Sequence, residues 1–183
     1  MQLTGMPIDM SRVKYVKEIL HEISNFASAK IAKSIHVQEY AYQRKLDWVA
    51  FKNETLKKKR VTLVDAEAEC LKPKSVVRWN PNSNTQLKAV LYDKIGLPVI
   101  ETTNTGLPST DGDTLAALRS HTKDPAVIEL LNALLDYAAV NKLISSFIPA
   151  METAQLATDG WHYLFGNFNL GGTVSGRLSS SNP

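Results

Sequence analysis

Residues 9–58 contain neither proline nor glycine. No other feature constrains the fold as strongly, because the two residues that most readily end a helix are missing from the whole stretch. Within it, Val13, Val16, Ile19, Leu20, Ile23, Phe26, Ala27 and Ile31 recur at spacings of three and four. That period puts them on one helical face. The opposite face carries Lys14, Lys17, Glu18, Glu22, Lys30 and Lys33. Gly5-Met6-Pro7-Ile8 forms a turn before the helix, and Asp9 or Ser11 is placed to cap it. A helix of ~25 residues would be ~37 Å long, which suits an arm better than a compact core. The helical pattern is expected to run past Ile35.

With 183 residues the chain is long enough for one full domain, or for a compact domain and an elongated piece. Cys70 is the single cysteine, so neither an intrachain disulfide nor a Cys-based zinc site can form, and a reducing compartment is expected. No apolar run reaches the ~18–20 residues of a membrane span. Charge is unevenly spread. Residues 1–78 hold 15 Lys and Arg against 9 Asp and Glu, and residues 79–183 hold 6 against 9. A one-sided basic region is either a polyanion footprint or a solvated helix surface.

Residues 36–78 are less periodic. Tyr40, Tyr42, Trp48 and Phe51 suggest an aromatic cluster, Lys57-Lys58-Lys59-Arg60 is a basic run, and Val61-Thr62-Leu63-Val64 reads as a short strand. Aromatics interleaved with basic residues fit single-stranded nucleic acid, but more often such residues are a small satellite core with a solvated lysine face.

Beyond Trp79 the punctuation is clear. Asn80, Asn82, Ser83 and Asn84 form a loop of capping residues before a helix from Thr85 to about Lys94, which Gly96 and Pro98 end. Such a loop either binds phosphate or only caps the helix. A polar turn-rich segment, 102–111, precedes a short helix capped by Ser109 or Asp111. Pro125 opens a long helix whose apolar stripe runs from Val127 to Ile144, with Lys142 near its far end. Residues 161–165 and 167–170 alternate as β-segments after a turn at 158–160. Gly171-Gly172 then bends the chain into Thr173-Val174-Ser175-Gly176-Arg177-Leu178-Ser179-Ser180-Ser181-Asn182-Pro183. One arginine among small hydroxyl side chains, with no carboxylate, histidine or cysteine, is equipment for gripping an anion.

Catalytic patterns are missing. His21, His36, His121 and His162 are too far apart in sequence for a helical metal pair, and there is no phosphate-binding Gly-rich loop with Lys-Ser/Thr. Asp111-Gly112-Asp113 lacks the other ligands of a calcium loop. From the residues alone, this chain binds a polyanion or supports something that does.

The order of these motifs resembles the thumb and the beginning of the palm of DNA polymerase I-type (family A) DNA polymerases. Gly5-Met6-Pro7-Ile8-Asp9 before a long helix is similar to the thumb entry. Trp79 to Leu87 with Leu91 to Pro98 is similar to the thumb-tip loop and helix, and Thr105 to Thr110 and Tyr137 to Phe147 continue in register. Thr173 to Pro183 is similar to the family's Thr-Gly-Arg-Leu-Ser-Ser motif. The resemblance implies a mainly α fold, an elongated helical thumb with a small β-containing base, as an α+β piece of a polymerase domain. It divides the chain into a first thumb helix (1–35), an insertion of uncertain fold (36–78), thumb tip and returning helix (79–150) and the start of the palm (151–183).

The same resemblance implies DNA-binding roles. Arg177 would probe the minor groove near the primer terminus, with Thr173, Ser179 and Ser180 beside it. Asn80, Asn82 and Ser83 would touch duplex phosphates, and Thr102, Ser109 and Lys142 would line the same backbone track. Ala138 stands where other members carry a basic residue. Primer–template DNA and the remaining palm and fingers are the implied partners, and Mg2+ the cofactor of the complete polymerase. The palm's metal-binding aspartates are not among these residues, so the chain alone is expected to be inactive. The alternative is a protein-interaction module in which residues 36–78 bind a replisome or processivity partner.

Overall fold

A computed structural model of the protein describes residues 5–55, 60–73, 75–169 and 179–181. The turn expected at residues 5–8 is instead a strand, β1 (Met6–Ile8), held by pairing along its length, and it leads into helix α1 (Met10–Lys33). Asp9 caps α1, its Oδ1 accepting from the Ser11 and Arg12 amides at 2.9 and 3.1 Å. The helical run does continue past Ile35, as helix α2 (Ile35–Thr55), but Ser34 interrupts it. The interruption uses no proline or glycine, so no residue type announced it.

Residues 61–64 are not a strand. Leu63 begins helix α3 (Leu63–Cys70), and Thr62 is its N-cap. The Asp65 carboxylate accepts from the Thr62 amide at 2.8 Å and from its hydroxyl at 2.9 Å. This capping box satisfies donors that the first helical turn leaves open, and it overrides the β-preference of Val61, Thr62 and Val64. The aromatic cluster is also dispersed. Tyr40 packs edge-on against Trp79 at 5.7 Å between ring centres, whereas Tyr42 and Phe51 are exposed. Residues Lys57, Lys58 and Lys59 lie outside the described residues.

Helix α4 (Asn84–Lys88) runs directly into a π-helical segment, Ala89–Lys94, and Gly96 ends it at φ +76°. Helix α5 (Gly112–Leu118) is capped by Asp111, whose Oδ1 accepts from the Thr114 amide at 2.8 Å. A single 3-10 turn, Arg119–His121, connects it towards helix α6 (Pro125–Lys142), which has proline in its first turn as expected. Beyond α6 the spiral widens into a π-turn, Leu143–Phe147, before helix α7 (Ile148–Glu152). Pro149 gives the reason. A proline inside a continuing helix removes one amide and crowds the carbonyl four residues back, and a wider turn relieves that clash.

Four short strands follow. β2 (Gln155–Leu156) and β1 flank β3 (His162–Leu164) in an antiparallel sheet, with Ile8 opposite His162 and Gln155 opposite Tyr163. β4 (Asn167–Asn169) pairs antiparallel with β5 (Ser179–Ser181). The fold is therefore mainly α with small antiparallel sheets, as expected.

The chain divides into two compact units, Phe26–Ala138 and Met1–Asn25 with Ala139–Pro183. In the first, Ile31, Val37, Leu91, Leu115, Leu118, Val127, Leu131 and Leu134 form the main core, joined by Leu87, Val90 and Leu97. The Lys94 ammonium meets the Glu39 carboxylate at 2.8 Å on its rim. In the second, Ile8, Val13 and Ile148 form a smaller core bordered by Met10, Leu20, Met151, Ala154 and Leu164. The apolar face expected along α1 is thus buried only in part. Val13, Ala27 and Ile31 are buried, but Val16, Ile19, Ile23 and Phe26 are exposed.

Candidate nucleic-acid interface

The unit formed by Phe26–Ala138 presents a polar loop, residues 78–83, whose shape follows from a few side chains. Gln86, buried on α4, reaches back and clamps both sides of it. Its Oε1 accepts from the Asn80 amide at 3.0 Å, and its Nε2 donates to the Arg78 carbonyl at 3.3 Å. The Asn80 side chain accepts from the Asn82 amide at 3.0 Å, closing an Asx-turn, and the Asn80 carbonyl accepts from the Ser83 amide at 3.0 Å. Ser83 caps α4, its Oγ accepting from the Gln86 amide at 3.4 Å. The Asn82 amide nitrogen donates to the Tyr137 hydroxyl on α6 at 3.1 Å.

The structure therefore brings Asn80, Asn82 and Ser83 together on one fixed loop, with Asn80 and Asn82 exposed. A cleft of about 710 Å3 opens beside it, lined by Ser28 and Ala32 of α1, by Pro73 and Ser75, by Arg78 to Pro81, and by Tyr137. Arg78 is exposed there. Sequence reasoning did not single out Gln86, Arg78 or Tyr137 for this loop. Gln86 stands three residues after the cap Ser83, the spacing of a capping box, and that signal was available.

Thr102 and Ser109 stand on a second loop of the same unit. Thr102 is exposed and bridges Pro108. Ser109 is buried, and its groups have partners within the fold: the hydroxyl donates to Asp111 Oδ2 at 2.8 Å, the amide donates to the Glu101 carbonyl at 2.9 Å, and the carbonyl accepts from the Tyr92 hydroxyl. Donors from Thr114 and Ser109 hold the Asp111 carboxyl below its usual pKa. Burial, with the Asp111 charge nearby, raises the Tyr92 phenol.

In the other unit, Lys142 is exposed and ends α6. Ser179 and Ser180 lie on β5, opposite Asn169 and Phe168. Thr173 and Arg177 lie outside the described residues. Among the described residues, no group of three His, Cys, Asp or Glu side chains could hold a metal ion, and no helix is long and apolar enough to cross a membrane.

The sequence model of DNA polymerase family A matches residues 50–183, well over half of the chain, and the protein belongs to that family. Among curated relatives, DNA polymerase I of Bacillus subtilis is 34% identical over 105 residues, 57% of this chain and 11% of its own length. The thermostable DNA polymerase I of Thermus aquaticus is 37% identical over 107 residues, 57% of this chain and 12% of its own. The DNA polymerase of Escherichia phage T5 is 38% identical over 104 residues, 56% of this chain and 11% of its own. The match thus covers about a tenth of each relative's length. A solved structure, the POL domain of Pol1 from M. smegmatis in complex with DNA primer-template and dNTP, shares the fold with a TM-score of 0.51 at 22% identity, covering 98% of this chain and 23% of that one.

Proposed function

We propose that this chain serves as the duplex-gripping part of a template-directed DNA polymerase, holding primer–template DNA while nucleotides are added. The observation that carries the reading is the loop at 80–83. It offers short polar side chains from a backbone that Gln86 clamps, and family A membership makes a DNA phosphate the natural acceptor of those donors. The M. smegmatis neighbour is a complex with DNA primer-template and dNTP, which agrees with this reading. Lys142 adds an exposed cation, and Arg177 with Thr173, Ser179 and Ser180 forms the minor-groove part of the proposal. Magnesium belongs to the complete polymerase in this reading. The described residues offer it no cluster of three His, Cys, Asp or Glu side chains.

Titration of fluorescent primer–template duplex against salt tests the grip. Affinity is expected to fall steeply with salt, and the slope of log K against log salt to shrink by about one unit in Lys142→Ala. Salt-independent binding, or none, would refute it. A second reading, a protein-docking role for residues 36–78, is favoured by the exposure of Phe51, Val64, Leu71 and Val76. Its test is a pull-down with replisome proteins. Capture abolished by Phe51→Ser and Leu71→Ser, with duplex binding intact, would support it, and capture unaffected by both changes would sink it.

A further inference from the structure

The cleft beside the 78–83 loop is lined asymmetrically in charge. Among the described residues that line it, Arg78 is the one charged group, and no aspartate or glutamate is present. Among the described residues, no carboxylate pairs with Arg78, whose side chain is exposed. The walls include two aromatic rings, Trp79 and Tyr137, and two proline rings, Pro73 and Pro81, while Ser28, Ser75 and Asn80 supply short polar groups. Among the described residues the buried Trp79 indole N–H finds no hydrogen-bond acceptor, although its ring is braced by Tyr40. Ala32 leaves the α1 wall low. A volume of about 710 Å3 falls inside the range of small-molecule sites.

We propose that this cleft binds one unpaired nucleotide, with its phosphate on the Arg78 guanidinium and its base against the Trp79–Pro81–Tyr137 wall. A guanidinium fork matches a phosphate in charge and geometry. Base–ring contact tolerates any sequence, as in proteins that hold single strands. Charge alone would fit any anion, but the ring-rich wall favours one that carries a flat apolar group. This goes beyond duplex holding, because the duplex phosphates were assigned to Asn80, Asn82 and Ser83, and the base of a paired nucleotide is not free to enter a cleft.

The test uses the full chain with three probes: 5′-phosphorylated tetrathymidylate, thymidine monophosphate and inorganic phosphate. Binding is read from tryptophan quenching, with Trp79→Phe identifying which of the three tryptophans responds. Tetrathymidylate is expected to quench Trp79 fluorescence. Arg78→Ala is expected to weaken that binding about tenfold, and Ala32→Leu, which fills the cleft without changing charge, by a similar factor. Both positions are exposed, so folding should survive, and circular dichroism checks that it does. Thymidine monophosphate should compete and inorganic phosphate should compete more weakly. Equal competition by phosphate would reduce the cleft to an anion site and overturn the proposal. So would tetrathymidylate binding unchanged in both variants. Loss of primer–template affinity in Arg78→Ala with tetrathymidylate binding intact would also overturn it, by making Arg78 a duplex contact. If the chain fails to bind duplex yet binds tetrathymidylate through Arg78, the duplex reading falls and this one stands.

Discussion

The Asn82 side-chain amide donates to the Tyr137 hydroxyl at 3.1 Å, across 55 positions of sequence. The bond ties the loop before α4 to α6, so the loop's outward side chains are set by a distant helix as well as by their own turn. A loop fixed before binding loses less entropy when it meets a ligand.

Tyr137→Phe removes only the hydroxyl. The bond is exposed and Asn82 keeps other interactions, so the expected loss of stability is small, about 0.5 kcal/mol. Amide exchange in the 80–83 loop should quicken, and affinity for primer–template duplex should fall about threefold through lost preorganisation. Hydrogen exchange together with duplex titration measures both. Faster exchange at unchanged affinity would separate loop order from DNA grip.

The Thr62–Asp65 pair supports a second prediction. Asp65 takes both the amide and the hydroxyl of Thr62, so each residue loses much of its value without the other. Thr62→Ala and Asp65→Ala should each cost about 1 kcal/mol, and the double variant less than their sum. Urea unfolding of the four proteins in the cycle gives the coupling. Strict additivity would mean that the capping box contributes nothing as a unit.

Stability should also depend on pH through Asp111 and Tyr92. Hydrogen bonds from Thr114 and Ser109 lower the folded pKa of Asp111 below its ordinary 3.8. Its contribution is therefore complete above pH ~4 and is lost as pH falls through the lower folded value. Tyr92 is shifted the other way, raised above 10.0 by burial and by the Asp111 charge. Its contribution is complete below pH 10 and is lost as pH rises through the folded value. Melting temperature against pH should fall at both ends, and Asp111→Asn should flatten the acid limb. An acid limb unchanged by that substitution would assign it to other carboxylates, with Asp9 and Asp159 next in line because they too are lowered by donors.

How much of this was legible depended on whether a residue's own chemistry marked its structure. Gly96 and Pro125 are legible because a left-handed turn and a first-turn proline each follow from one side chain, and the caps Asp9 and Asp111 are each one of two candidates, beside Ser11 and Ser109, that the sequence offers. The long helix α2 was harder to read: only Val37 is buried on it, so its apolar residues trace no stripe. At Val61 to Val64 the β-branched composition points to a strand while the Thr62-x-x-Asp65 spacing is that of a capping box, and the box prevails. Neither π-helical segment has a side-chain pattern of its own, although Pro149 stood as an unused warning of the second. In the candidate site, the sequence marks Asn80, Asn82 and Ser83 as one loop of capping residues before a helix, which is where they stand. The positions of Arg78 and Tyr137 are not legible in it, because their place at the cleft depends on α1 and α6 meeting the loop, a matter of packing.

Gly5 supplies the last prediction, and it concerns contact where other glycines concern conformation. A Cβ at Gly5 would sit 2.8 Å from the Tyr163 Cβ and 2.9 Å from Phe165 Cε1. The Phe165 ring has a free end and can move. The Tyr163 Cβ cannot readily do so, because its backbone is paired in β3 and its hydroxyl donates to Asp159 at 2.7 Å. Gly5→Ala must therefore push β1 away from β3, at a cost of about 1–3 kcal/mol. Gly106 is the control. It lies at φ +75° with nothing within 4 Å of an added Cβ, so Gly106→Ala should cost only the left-handed strain, about 1–2 kcal/mol. Trp161 stands next to β3 and reports the first change by fluorescence. The expected result is a perturbed Trp161 signal and a lowered melting temperature in Gly5→Ala, and a lowered melting temperature with an unperturbed Trp161 signal in Gly106→Ala. A Gly5→Ala protein that melts like the original would show that β1 and β3 do not approach as closely as described.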